Sequence, residues 1–358
     1  MVKPVTVYIG LGSNLGDRKV NMDDAVQCLA ESERIEVLRV SDIIETAPLG
    51  STSQPMYLNA VVEIRTDLNA VQLRKRIVEI EAALGRVRRG KWWPRTIDLD
   101  ILLFGDQVME TAELTIPHTQ VHLRSFVLEG LCQLDAGLVH PVLGVSVGEL
   151  KARLNGGDFT LDADTPQLVS IAGNIGVGKT TLAQKLAGCL DGKILLEPYD
   201  ANPFLPDVYA GKKELALDSQ LFFLVHRSQQ LDPFSLVQDR MSISDYVFEK
   251  ELIYARRLLG AQQLTLYEEI YPPFAAKVAA PVLVIYMRDP AAGCLERIHS
   301  RNRPYEQRIG LPFLEALGAD YDRLFESWNR CPVIHITTSQ AKDVDHLAHQ
   351  IKYYTVSL

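Results

Sequence analysis

Residues 168–190 read LVSIAGNIGVGKTTLAQKLAGCL: an apolar strand, a glycine-rich loop and a helical pattern, in that order. The stretch GNIGVGKT satisfies G-x-x-x-x-G-K-[ST], a loop whose backbone amides turn toward phosphate at the start of a helix. Gly173, Asn174, Ile175, Gly176, Val177 and Gly178 form the loop, and Lys179 reaches the terminal phosphates. Thr180 offers a hydroxyl to magnesium, and Thr181 follows it into the helix. Such a loop joins a parallel strand to its crossover helix, so this part of the chain must be an α/β sheet that binds a nucleoside triphosphate.

The chain is longer than one sheet of this kind needs. Its 358 residues, 47% apolar and 23% charged, predict a soluble protein of two domains. A net charge of -8 and pI near 5.6 leave no general electrostatic footprint for nucleic acid or an anionic membrane. The five cysteines are odd in number and form no C-x-x-C, against both a disulfide framework and a zinc site, so a reducing cytoplasm is expected. MVKPVTVYIGLGSN lacks a signal peptide's apolar core, and the longest apolar runs are of strand length, so no membrane span is expected.

The polar stretch NGGDFTLDADTPQ (155–167) shows neither helical nor strand periodicity and ends the first domain. The reading is one domain over 1–160 and a second over 167–358. In the first, strands over 5–11, 36–44, 57–65 and 96–104 and helices over 21–31 and 69–84 give a β-α-β-β-α-β order. That order predicts an α+β, ferredoxin-like domain with helices on one face of a mostly antiparallel sheet. In the second, LVSIAG, KILLEP, VLVIYM and VIHITT alternate with long helices, which predicts a parallel sheet covered on both faces.

PRTIDLDILLF (94–104) places Asp98 and Asp100 two apart on a strand, so both carboxylates share a face. Adjacent carboxylates repel unless a cation lies between them, and such a pair suits nucleotide-borne magnesium; it also suits the solvated face of an edge strand. The neighbourhood favours the first reading. GRVRRGKWWPR just upstream holds Arg86, Arg88, Arg89, Lys91 and Arg95 with Trp92 and Trp93, cations for phosphate beside aromatics for a flat ring.

With GLGSNLGD, ETAPLG, PMYLNAVV, GRVR, PRTIDLDILLFG and IPHTQVHLRSFVL in order, the first 160 residues resemble the hydroxymethyl-dihydropterin pyrophosphokinases. The resemblance implies transfer of the β,γ-pyrophosphoryl group of ATP to the pterin hydroxymethyl oxygen, with release of AMP. It implies that Asp98 and Asp100 hold magnesium, that Arg86 and Arg95 neutralise the transferring phosphates, and that Arg88 joins them. The pterin would lie between Trp92 or Trp93 and Phe126, its polar edge read by Asn59, Tyr57 and the backbone from Thr46 through Pro48 to Leu49. His118, Thr115 and Arg124 would face ATP, with Ile101 beside the adenine.

In the second domain Glu197 follows the strand KILLEP at the sheet edge where open α/β sheets bind ligands, and Arg297, Arg301 and Arg303 suit a lid over phosphate. With NPF, Tyr209, Gln220, Arg227, Asp239-Arg240, Asp245 and Glu306 in order, residues 167–358 resemble the deoxynucleoside kinases. The resemblance implies that Glu197 accepts the proton of the attacking 5'-hydroxyl, oriented by Arg240. Tyr209 and Glu306 would hold the sugar 3'-hydroxyl. Gln220 would read the base, with Arg227 and Asp245 nearby and Phe248 stacking, and the lid arginines would stabilise the transferring charge.

The expected protein is thus a bifunctional kinase using ATP and magnesium on two small molecules, a dihydropterin and a deoxynucleoside, the latter expected to be a purine. Resemblance also implies a homodimer through the kinase half. Two other readings of that half are a nucleotide-sensing module, which would need neither a base at 197 nor a lid, and a nucleoside monophosphate kinase, which Tyr209, Gln220 and Glu306 disfavour.

Overall fold

A computed structural model describes residues 3–49, 54–87, 93–236 and 239–356 of the chain. It divides into two compact units, Met1–Thr160 and Leu161–Leu358.

The first unit runs β1 (Val5–Ser13), α1 (Arg18–Ala30), β2 (Ile35–Val40), β3 (Ile44–Thr46), β4 (Tyr57–Thr66), α2 (Ala70–Ala83) and β5 (Asp98–Phe104). A small β6 (Met109–Glu110) and β7 (Thr115–Ile116) pair follows, then α3 (Ser125–Asp135) and α4 (Val147–Leu154). The main sheet is antiparallel in the order β2-β4-β1-β5, with β3 also on β4. Asn69 and Gln72 close a reciprocal capping box that starts α2. Strand alternation sends Val7, Ile9, Leu11, Leu99 and Ile101 into one core with Leu29, Leu73, Ile77 and Ile80 of α1 and α2.

Two expectations change. The strand over 36–44 is broken into β2 and β3, because Ser41 Oγ accepts the Val61 N–H that a continuous ladder would have used. The sheet is also covered on its second face: Gly130 of α3 approaches Val61 so closely that a Cβ would lie 2.7 Å from the valine methyl.

The second unit runs β8 (Leu168–Gly173), α5 (Lys179–Leu190), β9 (Lys193–Leu195), α6 (Leu205–Tyr209), α7 (Ala216–Gln230) and β10 (Ser242–Ser244). There follow α8 (Lys250–Leu258), α9 (Ala261–Ala275), β11 (Leu283–Arg288), α10 (Ala291–Arg301), α11 (Leu311–Glu326), β12 (Val333–Thr337) and α12 (Val344–Tyr354). Its sheet is parallel, ordered β12-β11-β8-β10-β9, with β8 central. The phosphate loop therefore leaves the middle strand, where the chain departs to either side and open α/β sheets place their ligands. Sequence reading did not find β10, because a three-residue strand reading Ser-Ile-Ser carries no apolar run.

Candidate active sites

In the first unit Asp98 and Asp100 project from the sheet face opposite the α1–α2 core, beside Gly10 and Gly12 of β1. They line a cavity of about 810 Å³, room for two ligands side by side. Arg86 is paired with both Asp98 and the buried Glu81, and Arg95 with Asp98. Burial first, then the like charge of Asp100, pushes Asp98 up to about 6 against the pull of Arg95 and Arg86. Two carboxylates held this close, with two arginines paired to one of them, form a donor set that suits magnesium brought in by a nucleotide.

Thr46, Pro48, Leu49, Tyr57, Asn59, Trp93 and Phe126 wall one part of this cavity, and His118 and Arg124 another. Asn59 donates to Thr46 Oγ1 at 2.8 Å, fixing its amide toward the pocket. The His118 ring is driven toward its neutral form, mainly by burial, and its Nδ1 accepts from the Gln120 amide at 3.3 Å. Its other nitrogen is then a donor.

Two expected contacts do not line the cavity. Ile101 packs in the helix-side core, since on a strand it must face away from Asp98 and Asp100, and Leu102 lines the cavity instead. Thr115 lies in β7, outside the cavity wall. Arg88 and Trp92 lie outside the described residues. Glu81 was missed, although a glutamate four residues after core Ile77 on α2 signals a buried carboxylate. Besides Arg86, its Oε1 accepts the Leu99 N–H at 2.9 Å, so one side chain fixes both the arginine and the strand of the carboxylate pair.

In the second unit the phosphate loop requires its glycines. Gly173, Gly176 and Gly178 all have positive φ, and a Cβ at Gly176 would sit 2.5 Å from the Cys294 carbonyl oxygen. Asn174 ties the loop to α11 by donating to Leu314 O at 2.8 Å. Lys179 is buried and donates to Gly173 O and Asn174 O at 2.9 and 2.8 Å; burial first, then the Lys250 charge, lowers it to about 7. Thr180 donates to Asp245 Oδ2 at 2.5 Å, and Asp245 Oδ1 accepts the Glu197 amide at 2.9 Å. A hydroxyl and a carboxylate beside the loop again suit magnesium.

Ile175, Gly176, Gly178, Lys179, Thr180, Thr181, Glu197, Tyr209, Gln220, Arg227, Arg301, Arg303 and Glu306 converge on one cavity of about 280 Å³. Arg301 Nε donates to Glu306 Oε2 at 2.5 Å, joining the end of α10 to the turn that follows it. Gln220 Oε1 is buried and has no hydrogen-bond partner among the described residues, an acceptor left for a ligand. Tyr199, Phe223, Lys250, Tyr254 and Tyr305 also line the cavity and were missed. Phe223 was findable, since it lies three residues after Gln220 and four before Arg227 on one helix face.

Four expectations are corrected here. Arg240 is exposed ahead of β10, whose first residue pairs with the first residue of β8, so it stands at the sheet edge opposite the phosphate loop. Phe248 is buried in the core and stacks on Tyr271 with ring centres 5.5 Å apart, away from the cavity. Asp245 meets the phosphate loop, not the base pocket. Arg297 stands behind the loop, donating to Gly176 O at 2.6 Å and pairing with Asp289. Lys250 contacts Glu197 where Arg240 was expected.

Fold and sites together define two phosphoryl-transfer enzymes on one chain: a carboxylate-and-arginine site on an antiparallel sheet, and a phosphate-loop kinase on a parallel one. The family model for 7,8-dihydro-6-hydroxymethylpterin-pyrophosphokinase matches residues 8–136, and that for deoxynucleoside kinase matches residues 169–353. The chain belongs to both families, its first unit a hydroxymethyldihydropterin pyrophosphokinase and its second a deoxynucleoside kinase. The pyrophosphokinase of Bacillus subtilis is 45% identical over 127 residues, covering 36% of this chain and 76% of that protein. That of Haemophilus influenzae is 38% identical over 137 residues, covering 38% and 86%. A solved deoxyadenosine kinase from M. mycoides, with the products dCMP and a flexible dCDP bound, aligns at 22% identity with a TM-score of 0.45, covering 51% of this chain and 95% of that one.

Proposed function

We propose that Asp98 and Asp100 hold magnesium in the first unit and that Arg86 and Arg95 leave Asp98 for the phosphates when ATP binds. Magnesium supplies charge neutralisation on the transferring group. The pterin stacks between Trp93 and Phe126 while Asn59 and Thr46 read its polar edge. Its hydroxymethyl oxygen forms a bond to the β-phosphorus of ATP as the bond from that phosphorus to the bridging oxygen breaks; AMP leaves with that oxygen, and the hydroxyl proton passes to solvent. Arg124 and the neutral His118 hold the nucleotide. The strand order β2-β4-β1-β5, antiparallel throughout, supports reading this unit as ferredoxin-like.

In the second unit Lys179 and the loop amides bind the ATP phosphates, Thr180 and Asp245 serve magnesium, and Glu197 takes the proton of the 5'-hydroxyl as its oxygen attacks the γ-phosphorus. Tyr209 and Glu306 hold the sugar; Arg301 and Arg303 neutralise developing charge. The observation that carries this reading is the placement of Glu197 in one cavity with Lys179, Tyr209, Gln220 and Glu306. A sensor would need no carboxylate there, and a monophosphate kinase would need cations where Tyr209 and Glu306 stand.

The Gln220 amide, a donor beside an unpartnered acceptor, fits the amino and ring-nitrogen edge of adenine, so the preferred substrate is a purine deoxynucleoside, deoxyadenosine first. Cytosine presents a similar edge, so the deciding experiment is a panel of the four deoxynucleosides with ATP. Highest kcat/KM for deoxyadenosine is expected; preference for thymidine would refute this role of Gln220. The unit is proposed to act as a homodimer in the cytoplasm.

A further inference from the structure

We infer that Lys250 is the residue that positions Glu197 for proton abstraction in the deoxynucleoside kinase site, the task that the resemblance to deoxynucleoside kinases implies for Arg240. The inference rests on the reading of Glu197 as the base.

Arg240 is excluded by topology. It precedes Ser242, which pairs with Leu168 at the start of β8, whereas the phosphate loop leaves β8 after Gly173. At about 3.3 Å per residue, Arg240 lies on the order of 20 Å along the sheet from that loop, beyond the reach of any side chain.

Lys250, the first residue of α8, reaches the base directly. Its Nζ donates to Glu197 Oε1 and Oε2 at 2.6 and 2.8 Å, and both side chains are almost wholly buried. Arg227 pairs with Glu197 too, but it is shared with Glu251, whose other oxygen accepts from the Tyr267 hydroxyl. The four charged groups thus balance, two cations against two carboxylates, as buried charges require. Among the described residues Glu197 is the single carboxylate paired with Lys250. A compact ammonium with three donors can span both carboxylate oxygens from between the Tyr199 and Tyr254 rings, 6.0 and 4.9 Å away.

This placement has a chemical consequence. As the 5'-oxygen bonds to the γ-phosphorus and the bond to ADP breaks, the hydroxyl proton moves to Glu197 and later to solvent. Lys250, bonded to both carboxylate oxygens, fixes the plane of Glu197 for that transfer. Lysine here acts through Glu197, as a positioning residue.

The test uses the full chain and measures deoxynucleoside phosphorylation for Lys250→Ala, Lys250→Met, Lys250→Arg and Arg240→Ala. Lys250→Ala and Lys250→Met should lower kcat about a hundredfold while KM for the deoxynucleoside stays within about threefold. Ethylamine should restore kcat of Lys250→Ala in proportion to its concentration, which sodium chloride at matched ionic strength should not; a merely unfolded variant would show no such rescue. Lys250→Arg should keep part of the activity, and Arg240→Ala all of it. Near-parental kcat in Lys250→Ala and Lys250→Met, an equal loss in Arg240→Ala, or failure of ethylamine to rescue a Lys250→Ala chain whose hydrogen-exchange protection matches the parent would overturn the inference. A parent chain inactive on every deoxynucleoside would instead refute the reading of the site itself.

Discussion

Thr180 donates its hydroxyl to Asp245 Oδ2 at 2.5 Å, joining the first turn of the helix after the phosphate loop to the residue that follows β10. The same carboxylate receives the Glu197 amide, so one aspartate orients both the Thr180 hydroxyl and the backbone of Glu197. Asp245→Asn is expected to lower deoxynucleoside phosphorylation by about 10–100-fold and to raise the magnesium concentration needed for half-maximal rate. Titrating magnesium against initial rate checks this, and an unchanged requirement would remove Asp245 from the account.

Glu81 is the corresponding organiser of the first unit. Alanine at 81 would strip the acceptor from the Leu99 N–H and the buried partner from Arg86. The expected loss is about 3 kcal/mol of stability in that unit, together with slower pyrophosphoryl transfer. Glu81→Gln keeps an acceptor for Leu99 and should lose less. Hydrogen exchange of the β1 and β4 amides measures the difference, and equal protection in parent and Glu81→Ala would contradict it.

Acid should weaken the first unit through His140. Burial first, then the like charge of His122, holds His140 down to about 4, while its Nδ1 accepts from the Leu143 amide at 3.2 Å. In the unfolded chain histidine titrates near 6.5, so between those values the unfolded state binds more protons and stability falls as pH falls. The contribution is full above about pH 6.5, and about 3 kcal/mol of it is gone by pH 4. Exchange protection at pH 4.5 and 7, corrected for intrinsic rates, should show the drop in the parent and a smaller one in His140→Asn.

Much of this was legible in the sequence, for physical reasons that also mark where legibility ended. Alternation over Asp98–Leu102, ahead of the register shift opposite Tyr8 and Ile9, sends one set of residues to a core and the next to the cavity, so spacing along the chain is enough to put Asp98 and Asp100 on one face. The same alternation should have removed Ile101 from the site. The glycine-rich loop was legible because its backbone has few alternatives. Arg240, Asp245 and Phe248 were misplaced because β10 has no apolar signature, and without the strand there was no way to see which residues stand at its two ends. Lys250 was invisible for a related reason, since its partner Glu197 is brought to it by the sheet and not by spacing along the chain.

The central claim is that the chain carries two separate catalytic sites, one organised by Asp98 and Asp100 and the other by Lys179 and Glu197. Both activities measured on the full chain with Asp98→Asn and, separately, Lys179→Ala test it most directly. Asp98→Asn is expected to abolish AMP-forming pyrophosphorylation of the hydroxymethyldihydropterin and leave deoxynucleoside phosphorylation at the parental rate, and Lys179→Ala to do the reverse. Loss of both activities in either variant would contradict it.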